Sequence, residues 1–146
     1  MIELSTSEKK TREIAQSLAK NAPSGALILL YGNLGSGKTV FSKGFAAALG
    51  ILPEEVKSPT YTYVREHKKG KKHLYHFDFY RLETLDELMM QDLQEIFTQK
   101  TTDCNKYIIV EWPERIEAIL PTNYIKVVFE YVSPTSRKIT IHHEGK

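Results

Sequence analysis

One octapeptide, Gly32-Asn-Leu-Gly-Ser-Gly-Lys-Thr39, constrains the fold of this 146-residue chain more than any other feature. It matches the P-loop pattern at every fixed position. The continuous apolar run before it, Ala26–Tyr31, is typical of a strand buried on both faces of a parallel sheet. The segment after it, Thr39–Leu49, predicts a helix, and Gly50 suits the position just beyond the helix end. A strand, a glycine-rich turn and a helix in this order predict an α/β domain with a phosphate-binding loop.

The octapeptide has the chemistry needed to bind a nucleoside triphosphate. Its glycines let the backbone curl tightly, so that N–H groups surround phosphate oxygens, and the following helix directs its positive dipole end toward them. Lys38 supplies a positive charge for the β and γ phosphates, and the Thr39 hydroxyl is a magnesium ligand. We expect the whole loop to contribute to nucleotide binding: Gly32, Asn33, Leu34, Gly35, Ser36, Gly37, Lys38 and Thr39.

The choice of nucleotide is narrowed by motifs that the sequence lacks. GTPases carry a guanine-binding Asn/Thr-Lys-x-Asp motif, but Asn105-Lys106 is followed here by Tyr107 and Ile108. They also carry an Asp-x-x-Gly switch, and none of the aspartates in this sequence has a glycine three residues later. ATP with Mg²⁺ is therefore the favoured ligand.

Two acidic residues at predicted strands are candidates for completing the metal site. Glu111 ends the apolar run Tyr107–Val110, and we expect it to bind magnesium directly. Asp78 lies in the alternating segment His73–Tyr80, and we expect it to position water or the surroundings of the metal. The structural alternatives are an Asp78 carboxylate paired with Arg81 or solvent and a Glu111 carboxylate at the surface.

A hydroxyl-rich loop follows the predicted P-loop helix. Ser58-Pro-Thr60 could act as a switch that senses the γ-phosphate, with Thr60 as its functional residue. The same tripeptide is also typical of an ordinary turn, so the residues alone leave both interpretations open.

The rest of the chain predicts further helices and strands. Two capping boxes, Ser5-Thr-Ser-Glu8 and Thr84-Leu-Asp-Glu87, each predict the start of an amphipathic helix. The basic run Lys68–Lys72 is expected at a hairpin tip, with contact to tRNA phosphates as the alternative. A short helix is expected over Glu114–Leu120. The remaining predicted strands are Thr60–Val64, His73–Tyr80, Tyr107–Val110, Tyr124–Val132 and Lys138–His143.

These elements predict one α/β P-loop NTPase domain over residues 1–146, with a central, mostly parallel sheet, an antiparallel extension and flanking helices. The net charge of +2 is too small to indicate nucleic-acid binding by itself. The one cysteine, Cys104, cannot close an internal disulfide. The N-terminal segment lacks the pattern of a signal peptide, and the longest apolar stretch is too short to span a bilayer. We therefore expect a cytoplasmic protein.

Four motifs, taken in order, resemble the bacterial TsaE (YjeE) family over nearly the whole chain. They are Gly32–Thr39, Lys57-Ser-Pro-Thr-Tyr61, His76-Phe-Asp-Phe-Tyr-Arg81 and Glu111-Trp-Pro-Glu114. The resemblance implies a P-loop ATPase, with ATP and Mg²⁺, that is needed to make threonylcarbamoyladenosine in tRNA. It implies as partner the TsaD–TsaB pair, which carries out the transfer and links the protein to tRNA. It also implies that ATP hydrolysis resets this complex between rounds.

The resemblance also implies roles for single residues, by their position in the motifs. Thr39 and Glu111 look like the magnesium ligands, Thr60 like the switch threonine and Asp78 like the strand acid. These assignments agree with the roles expected from the residues themselves.

Further residues are implied to contact the nucleotide. Trp112 resembles the family's tryptophan beside the metal acid, and a residue near Ser7 is implied to contact the adenine. Ser36 departs from the family, in which alanine is common at this position. Because serine is also small, we expect it to leave the loop undisturbed.

Two other functional classes share a P-loop. A small-molecule kinase needs a substrate pocket and usually several arginines that clamp phosphates, whereas the five arginines here are scattered. A nucleotide-sensing adaptor binds ATP without hydrolysing it, and the presence of both acids argues against that class. Arg81 and Arg115 follow the two acids closely and are candidates for an arginine finger within the chain; otherwise a partner is expected to supply it.

Overall fold

The computed structural model describes residues 1–52, 54, 63–99 and 105–145, which form a seven-stranded sheet with helices on both faces. The α-helices are Glu8–Asn21 (α1), Lys38–Ala48 (α2) and Glu87–Thr98 (α3), and a 3-10 helix covers Pro113–Ile119. The strands are Ile2–Ser5 (β1), Leu27–Tyr31 (β2), Val64–Lys69 (β3), Lys72–Asp78 (β4), Asn105–Glu111 (β5), Tyr124–Ser133 (β6) and Ser136–Glu144 (β7).

The centre of the sheet is parallel and both of its edges are antiparallel. The strand order is β1-β7-β6-β2-β5-β4-β3. Strands β6, β2, β5 and β4 run parallel to one another, whereas β1, β7 and β3 pair antiparallel with their neighbours. This confirms the predicted α/β fold with a mostly parallel centre and an antiparallel extension. Because parallel strands end at the same edge, the residues that follow β2, β4 and β5 lie close together.

Each face of the sheet carries its own apolar core. Helices α1 and α2 pack on one face, against Ile28 and Leu30 of β2. Helix α3 and the 3-10 helix pack on the other, against Leu27 and Leu29 of the same strand. Successive residues of a strand point to opposite faces, so a strand covered on both sides must be apolar throughout. The run before the P-loop is continuously apolar because β2 is covered on both faces.

Helix α1 lies directly against α2, the helix that follows the P-loop. A Cβ atom at Gly44 would lie 2.6 Å from the Cα and the carbonyl oxygen of Arg12, so the close approach of the two helices requires glycine there. The same packing brings Ser7 and Glu8, at the start of α1, to the cavity bordered by Gly35–Gly37 of the P-loop.

The first predicted capping box is wrong in its position. Ser5 belongs to β1, which pairs antiparallel with β7, and its hydroxyl oxygen lies 2.7 Å from that of Thr11. The residue that caps α1 is Ser7, whose Oγ accepts a hydrogen bond from the Lys10 N–H at 3.0 Å. Strand β1 has no local signal in the sequence, because its partner strand β7 lies at the other end of the chain.

The second capping box is also displaced by two residues. Helix α3 is capped by Asp86, whose Oδ1 accepts from the Met89 N–H at 2.8 Å, and not by Thr84. Both residue types can cap a helix, and only the backbone path shows which of them is used.

The hairpin and the short helix are present with changed boundaries. Lys68–Lys72 spans the turn between β3 and β4, which confirms the predicted hairpin tip. The predicted strand Thr60–Val64 overlaps β3 only at Val64, and residues 60–62 lie outside the described residues. The helix expected over Glu114–Leu120 is a 3-10 helix that begins at Pro113. None of the helices in the described part of the chain is long and apolar enough to cross a membrane.

Candidate nucleotide-binding site

The P-loop leaves the carboxyl end of β2 and leads into α2 at Lys38. Gly35 and Gly37 take positive φ angles of 75° and 103°, and apart from the adjoining backbone no heavy atom lies within 4 Å of where a Cβ would project from either residue. A tight turn inside the loop joins the Ser36 N–H to the Asn33 carbonyl at 3.1 Å. The loop therefore has the curled backbone and the open surface that a bound phosphate chain requires.

Lys38 is the buried cation of the site, with 5% of its surface exposed. Its Nζ donates to the Gly32 carbonyl at 2.5 Å and lies 3.7 Å from the centre of the Trp112 ring. Burial lowers the pKa of Lys38, whereas the carboxylates of Glu111 and Glu114 oppose that shift. A carbonyl oxygen and an aromatic face both stabilise a cation, so these two contacts favour the ammonium form and hold the group beside the loop.

Trp112 has an unusual backbone conformation directly after Glu111. Its φ and ψ angles of 60° and 50° make it the one non-glycine residue with positive φ among those that the structure describes. This left-handed conformation costs roughly 1–2 kcal/mol for an L-residue. It directs the ring toward Lys38 and toward Tyr80, whose ring centre is 4.9 Å away. Backbone strain of this kind is concentrated at functional sites.

Glu111 is a buried carboxylate with a separate partner for each oxygen. The Thr39 hydroxyl donates to Oε1 at 3.3 Å, and His76 Nε2 lies 2.6 Å from Oε2. Glu111 is 3% exposed and His76 is fully buried. The other nitrogen of His76, Nδ1, has no hydrogen-bond partner among the described residues. Because a buried charge is costly unless it is hydrogen-bonded, these two contacts keep the carboxylate in place.

Asp78 lies beside Glu111, since the two residues are register partners at the ends of β4 and β5. Its Oδ1 accepts a hydrogen bond from the Tyr80 N–H at 3.0 Å. Burial raises the pKa of Asp78, the Tyr80 hydrogen bond opposes the shift, and the nearby Glu111 adds to it. Among the described residues, Asp78 forms no ion pair with Arg81, the partner considered in the structural alternative.

Among the cavities lined by described residues, two border the P-loop and share Gly35–Gly37. The acidic cavity, of about 300 Å³, lies between the loop and the side chains of Asp78, Glu111 and Trp112. The hydroxyl cavity, of about 330 Å³, lies between the loop, the start of α1 and the β6–β7 turn. Its polar lining includes the serine and threonine residues Ser5, Thr6, Ser7, Thr11, Ser36 and Thr135.

Most of the predicted site residues meet at the acidic cavity. Its lining includes Leu34, Gly35, Ser36, Gly37, Lys38, Thr39, Asp78, Glu111 and Trp112. Ser7 lines the hydroxyl cavity instead. Gly32 and Asn33 contribute carbonyl oxygens that accept from Lys38 and from the Ser36 N–H. Thr60, the predicted switch residue, lies outside the described residues.

Two residues of the site were not predicted from the sequence. His76 precedes Asp78 by two residues, and the alternation of a strand was a usable signal that both lie on one face. Arg137 of β7 reaches the P-loop and donates to the Gly35 carbonyl at 3.1 Å, a contact that has no local signal. The two arginines considered as fingers, Arg81 and Arg115, line neither cavity, and Arg115 donates to the Leu82 carbonyl at 3.3 Å.

Comparison with known proteins shows to which family this chain belongs. A family model described as threonylcarbamoyl adenosine biosynthesis protein TsaE matches residues 5–139. The chain belongs to the TsaE family. Two relatives are each named tRNA threonylcarbamoyladenosine biosynthesis protein TsaE. The one from Bacillus subtilis is 38% identical over 137 residues, which cover 94% of this chain and 82% of the relative. The one from Nostoc is 34% identical over 134 residues, which cover 92% of this chain and 80% of the relative.

A solved structure supports membership of the TsaE family at the level of the fold. It is described as the crystal structure of YdiB from Bacillus subtilis, and it matches with a TM-score of 0.77 at 32% sequence identity. The match covers 99% of this chain and 86% of that one. The resemblance to the TsaE family drawn from the four motifs is therefore confirmed.

Proposed function

We propose that this protein binds and hydrolyses ATP with Mg²⁺, and that hydrolysis serves the formation of threonylcarbamoyladenosine in tRNA. Its membership of a family named for that biosynthesis supports the second part. The observation that carries the first part is the buried Glu111 carboxylate, hydrogen-bonded to the Thr39 hydroxyl in the cavity that Lys38 also lines. An ammonium group and two oxygen-bearing side chains at the start of a helix suit a triphosphate and its magnesium ion.

The donor set fits magnesium, which prefers oxygen ligands. Thr39 Oγ1 and Glu111 Oε1 lie 3.3 Å apart. His76 contacts the other carboxylate oxygen, Oε2, so Oε1 is the oxygen that faces Thr39. Within the described residues, no group of three or more His, Cys, Asp or Glu side chains is placed to hold a metal ion. We therefore assign Thr39 and Glu111 as the protein ligands and leave the other positions to phosphate and water. When bound, magnesium neutralises charge on the phosphate oxygens.

The remaining side chains of the acidic cavity have roles that follow from their positions. We assign Lys38 to the β and γ phosphate oxygens, toward which a P-loop lysine is directed. Asp78 lines the cavity beside Glu111, and we assign it to orient the attacking water. The Trp112 ring lies over the Lys38 ammonium and shields that side of the site from solvent.

A partner is the proposed source of further positive charge. None of the described residues that line the acidic cavity is an arginine. An arginine finger increases the rate of phosphoryl transfer by about 10³ to 10⁵. We propose that the TsaD–TsaB pair completes the site, that hydrolysis resets this complex between rounds, and that Thr60 senses the γ-phosphate. Contact with tRNA is then made through the pair.

The test is steady-state release of ADP without any added phosphate acceptor, from the chain alone and after addition of TsaD–TsaB. We expect slow release from the chain alone and a large increase with the pair, both abolished by Lys38→Ala. Equal rates with and without the pair would remove the partner-completed site. Release that requires a small-molecule acceptor would indicate a kinase, and ATP binding without release would indicate a nucleotide-sensing adaptor.

A further inference from the structure

An arginine from the end of the sheet holds the middle of the P-loop. Arg137 of β7 donates through Nη2 to the Gly35 carbonyl at 3.1 Å, across a sequence separation of 102 residues. Its side chain also lines the hydroxyl cavity next to the loop. The P-loop motif specifies no partner for the Gly35 carbonyl, and the β6–β7 hairpin supplies one.

The guanidinium group of Arg137 is itself fixed from two sides. Its Nη1 donates to the carbonyls of Ser133 and Ser136, which flank the β6–β7 turn, at 2.7 Å and 3.0 Å. The ring centre of Tyr131 lies 5.1 Å from the guanidinium carbon. A planar guanidinium offers several donors in fixed directions at once, whereas a lysine ammonium is a single point on a flexible stem. The arrangement therefore requires arginine and not merely a positive charge.

The contact determines the orientation of one peptide group in the loop. The C=O and the N–H of a peptide group point in opposite directions in one plane. In the Gly35–Ser36 peptide, Arg137 binds the C=O and the Asn33 carbonyl accepts from the N–H at 3.1 Å. The group is thus held at both ends, and its carbonyl is directed toward Arg137.

Such a restraint is needed because the loop is rich in glycine. Glycine populates positive and negative φ angles about equally, so peptide groups beside Gly35 and Gly37 rotate at little steric cost. A rotated peptide would turn its carbonyl oxygen toward the Asn33 carbonyl that now accepts from the Ser36 N–H, where like partial charges repel, and the turn that shapes the loop would be lost. A fixed guanidinium that binds the carbonyl disfavours this rotated state.

We infer that Arg137 is a positioning residue for nucleotide binding, which holds the Gly35–Ser36 peptide so that the P-loop is pre-organised for phosphate. This inference rests on the proposed function, because it assigns a role within the same phosphate-binding loop. Arg137 thereby connects β7, in the antiparallel part of the sheet, to the P-loop at the end of the parallel strand β2.

The test compares Arg137→Lys with Lys138→Ala, a control on the same strand that loses only an exposed contact to Glu130. The affinities for ADP and for pyrophosphate are measured by calorimetry, together with the melting temperature. We expect Arg137→Lys to weaken both ligands about tenfold, the size of one charged hydrogen bond. The Ser36 amide should also exchange faster with solvent in this variant. Pyrophosphate is the decisive ligand, because it contacts the loop but lacks a base and a ribose.

The outcomes separate the inference from the proposed function. Unchanged pyrophosphate affinity in Arg137→Lys would overturn the inference, and a loss confined to ADP would assign Arg137 to base or ribose contact instead. A lower melting temperature with unchanged affinities would show a purely structural role. If the wild-type protein binds neither ligand, the proposed function and the inference are both overturned. Arg137→Ala with added guanidinium provides a second check, since the free ion should restore part of the lost affinity.

Discussion

The two cavities beside the P-loop are built in different ways. The acidic cavity is formed where neighbouring strands end, and its charged groups Lys38 and Glu111 are 5% and 3% exposed. The hydroxyl cavity is formed by segments from opposite ends of the chain, the start of α1 and the β6–β7 turn. One cavity therefore has buried charges at the strand ends and at the start of α2, and the other has mainly hydroxyl groups in its polar lining, beside the charged Glu8 and Arg137. The difference suits phosphate and metal chemistry on one side of the loop and recognition of the neutral part of a nucleotide on the other.

This comparison predicts that substitutions on the acidic side change phosphate and metal binding strongly. Substitutions of the hydroxyl-bearing residues at the start of α1 should instead change the stability of that helix start and the affinity for the nucleoside part. Measurements with pyrophosphate, ADP and Mn²⁺ separate these effects, because each ligand reaches a different part of the site.

The largest expected effect is that of Lys38→Ala. Lys38 is the buried cation of the acidic cavity, and charged hydrogen bonds to phosphate are worth about 1.5–3 kcal/mol each. We expect ATP affinity to fall about 100-fold, as measured by titration calorimetry. Lys43→Ala, on the same helix but outside the lining of both cavities, is the matched control and should bind normally. Undiminished binding by Lys38→Ala would remove the phosphate assignment.

The next effect distinguishes the two acids. Glu111→Gln should weaken metal-dependent nucleotide binding about thirtyfold, because it removes the charge of a proposed ligand. Asp78→Asn should bind the metal nearly normally and lose turnover. Electron paramagnetic resonance of bound Mn²⁺, with ADP release as the second readout, tests both variants. Loss of the Mn²⁺ signal in Asp78→Asn alone would reverse the two assignments.

A smaller effect is expected at His76, which holds Glu111 without facing the ligand itself. Substitution of a residue that orients a metal ligand costs about 10- to 100-fold in metal affinity. His76→Leu removes the contact to Oε2 and should lower Mn²⁺ affinity about tenfold, while ADP affinity without metal stays constant. His76→Gln keeps a polar donor and should restore part of the loss. Equal effects of both substitutions on stability, with Mn²⁺ affinity unchanged, would show that His76 only fills the core.

The smallest effect belongs to the hydroxyl cavity. Ser7→Ala removes the Oγ that accepts from the Lys10 N–H and caps α1. Loss of such a cap costs about 1 kcal/mol, which lowers the melting temperature by about 3–5 °C in a domain of this size. Pyrophosphate affinity should not change, because the acidic cavity is intact. A drop in pyrophosphate affinity would show that the two cavities do not act independently.

The contrast between the cavities also explains which parts could be predicted from the sequence. The P-loop, β2 and β5 have local signals, since a strand buried on both faces must be apolar and a phosphate loop must contain glycine. The acids Asp78 and Glu111 were found for the same reason, because parallel strands bring their carboxyl ends together. The positions of these residues follow from the sequence, and their roles await the measurements above.

The parts that were missed depend on contacts between distant segments. Ser5 has the sequence pattern of a helix cap, but pairing with β7 places it in a strand, and Ser7 takes the cap. Arg137 is an isolated basic residue in the sequence, and only the hairpin geometry brings it to Gly35. His76 had a periodic signal, yet its contact with Glu111 required the pairing of β4 with β5.

The position of Glu111 has a consequence for how the protein responds to heat. Strand β5 is buried along six of its seven residues and has a strand on each side. At its start, Lys106 Nζ donates to carbonyls at the end of α3, including Gln99 at 2.6 Å. A segment held in this way opens to solvent only when the whole domain unfolds, so its amide hydrogens are expected to exchange most slowly. The acid at its end should therefore keep its position up to the global melting transition, and loss of the proposed metal binding should coincide with unfolding and not precede it.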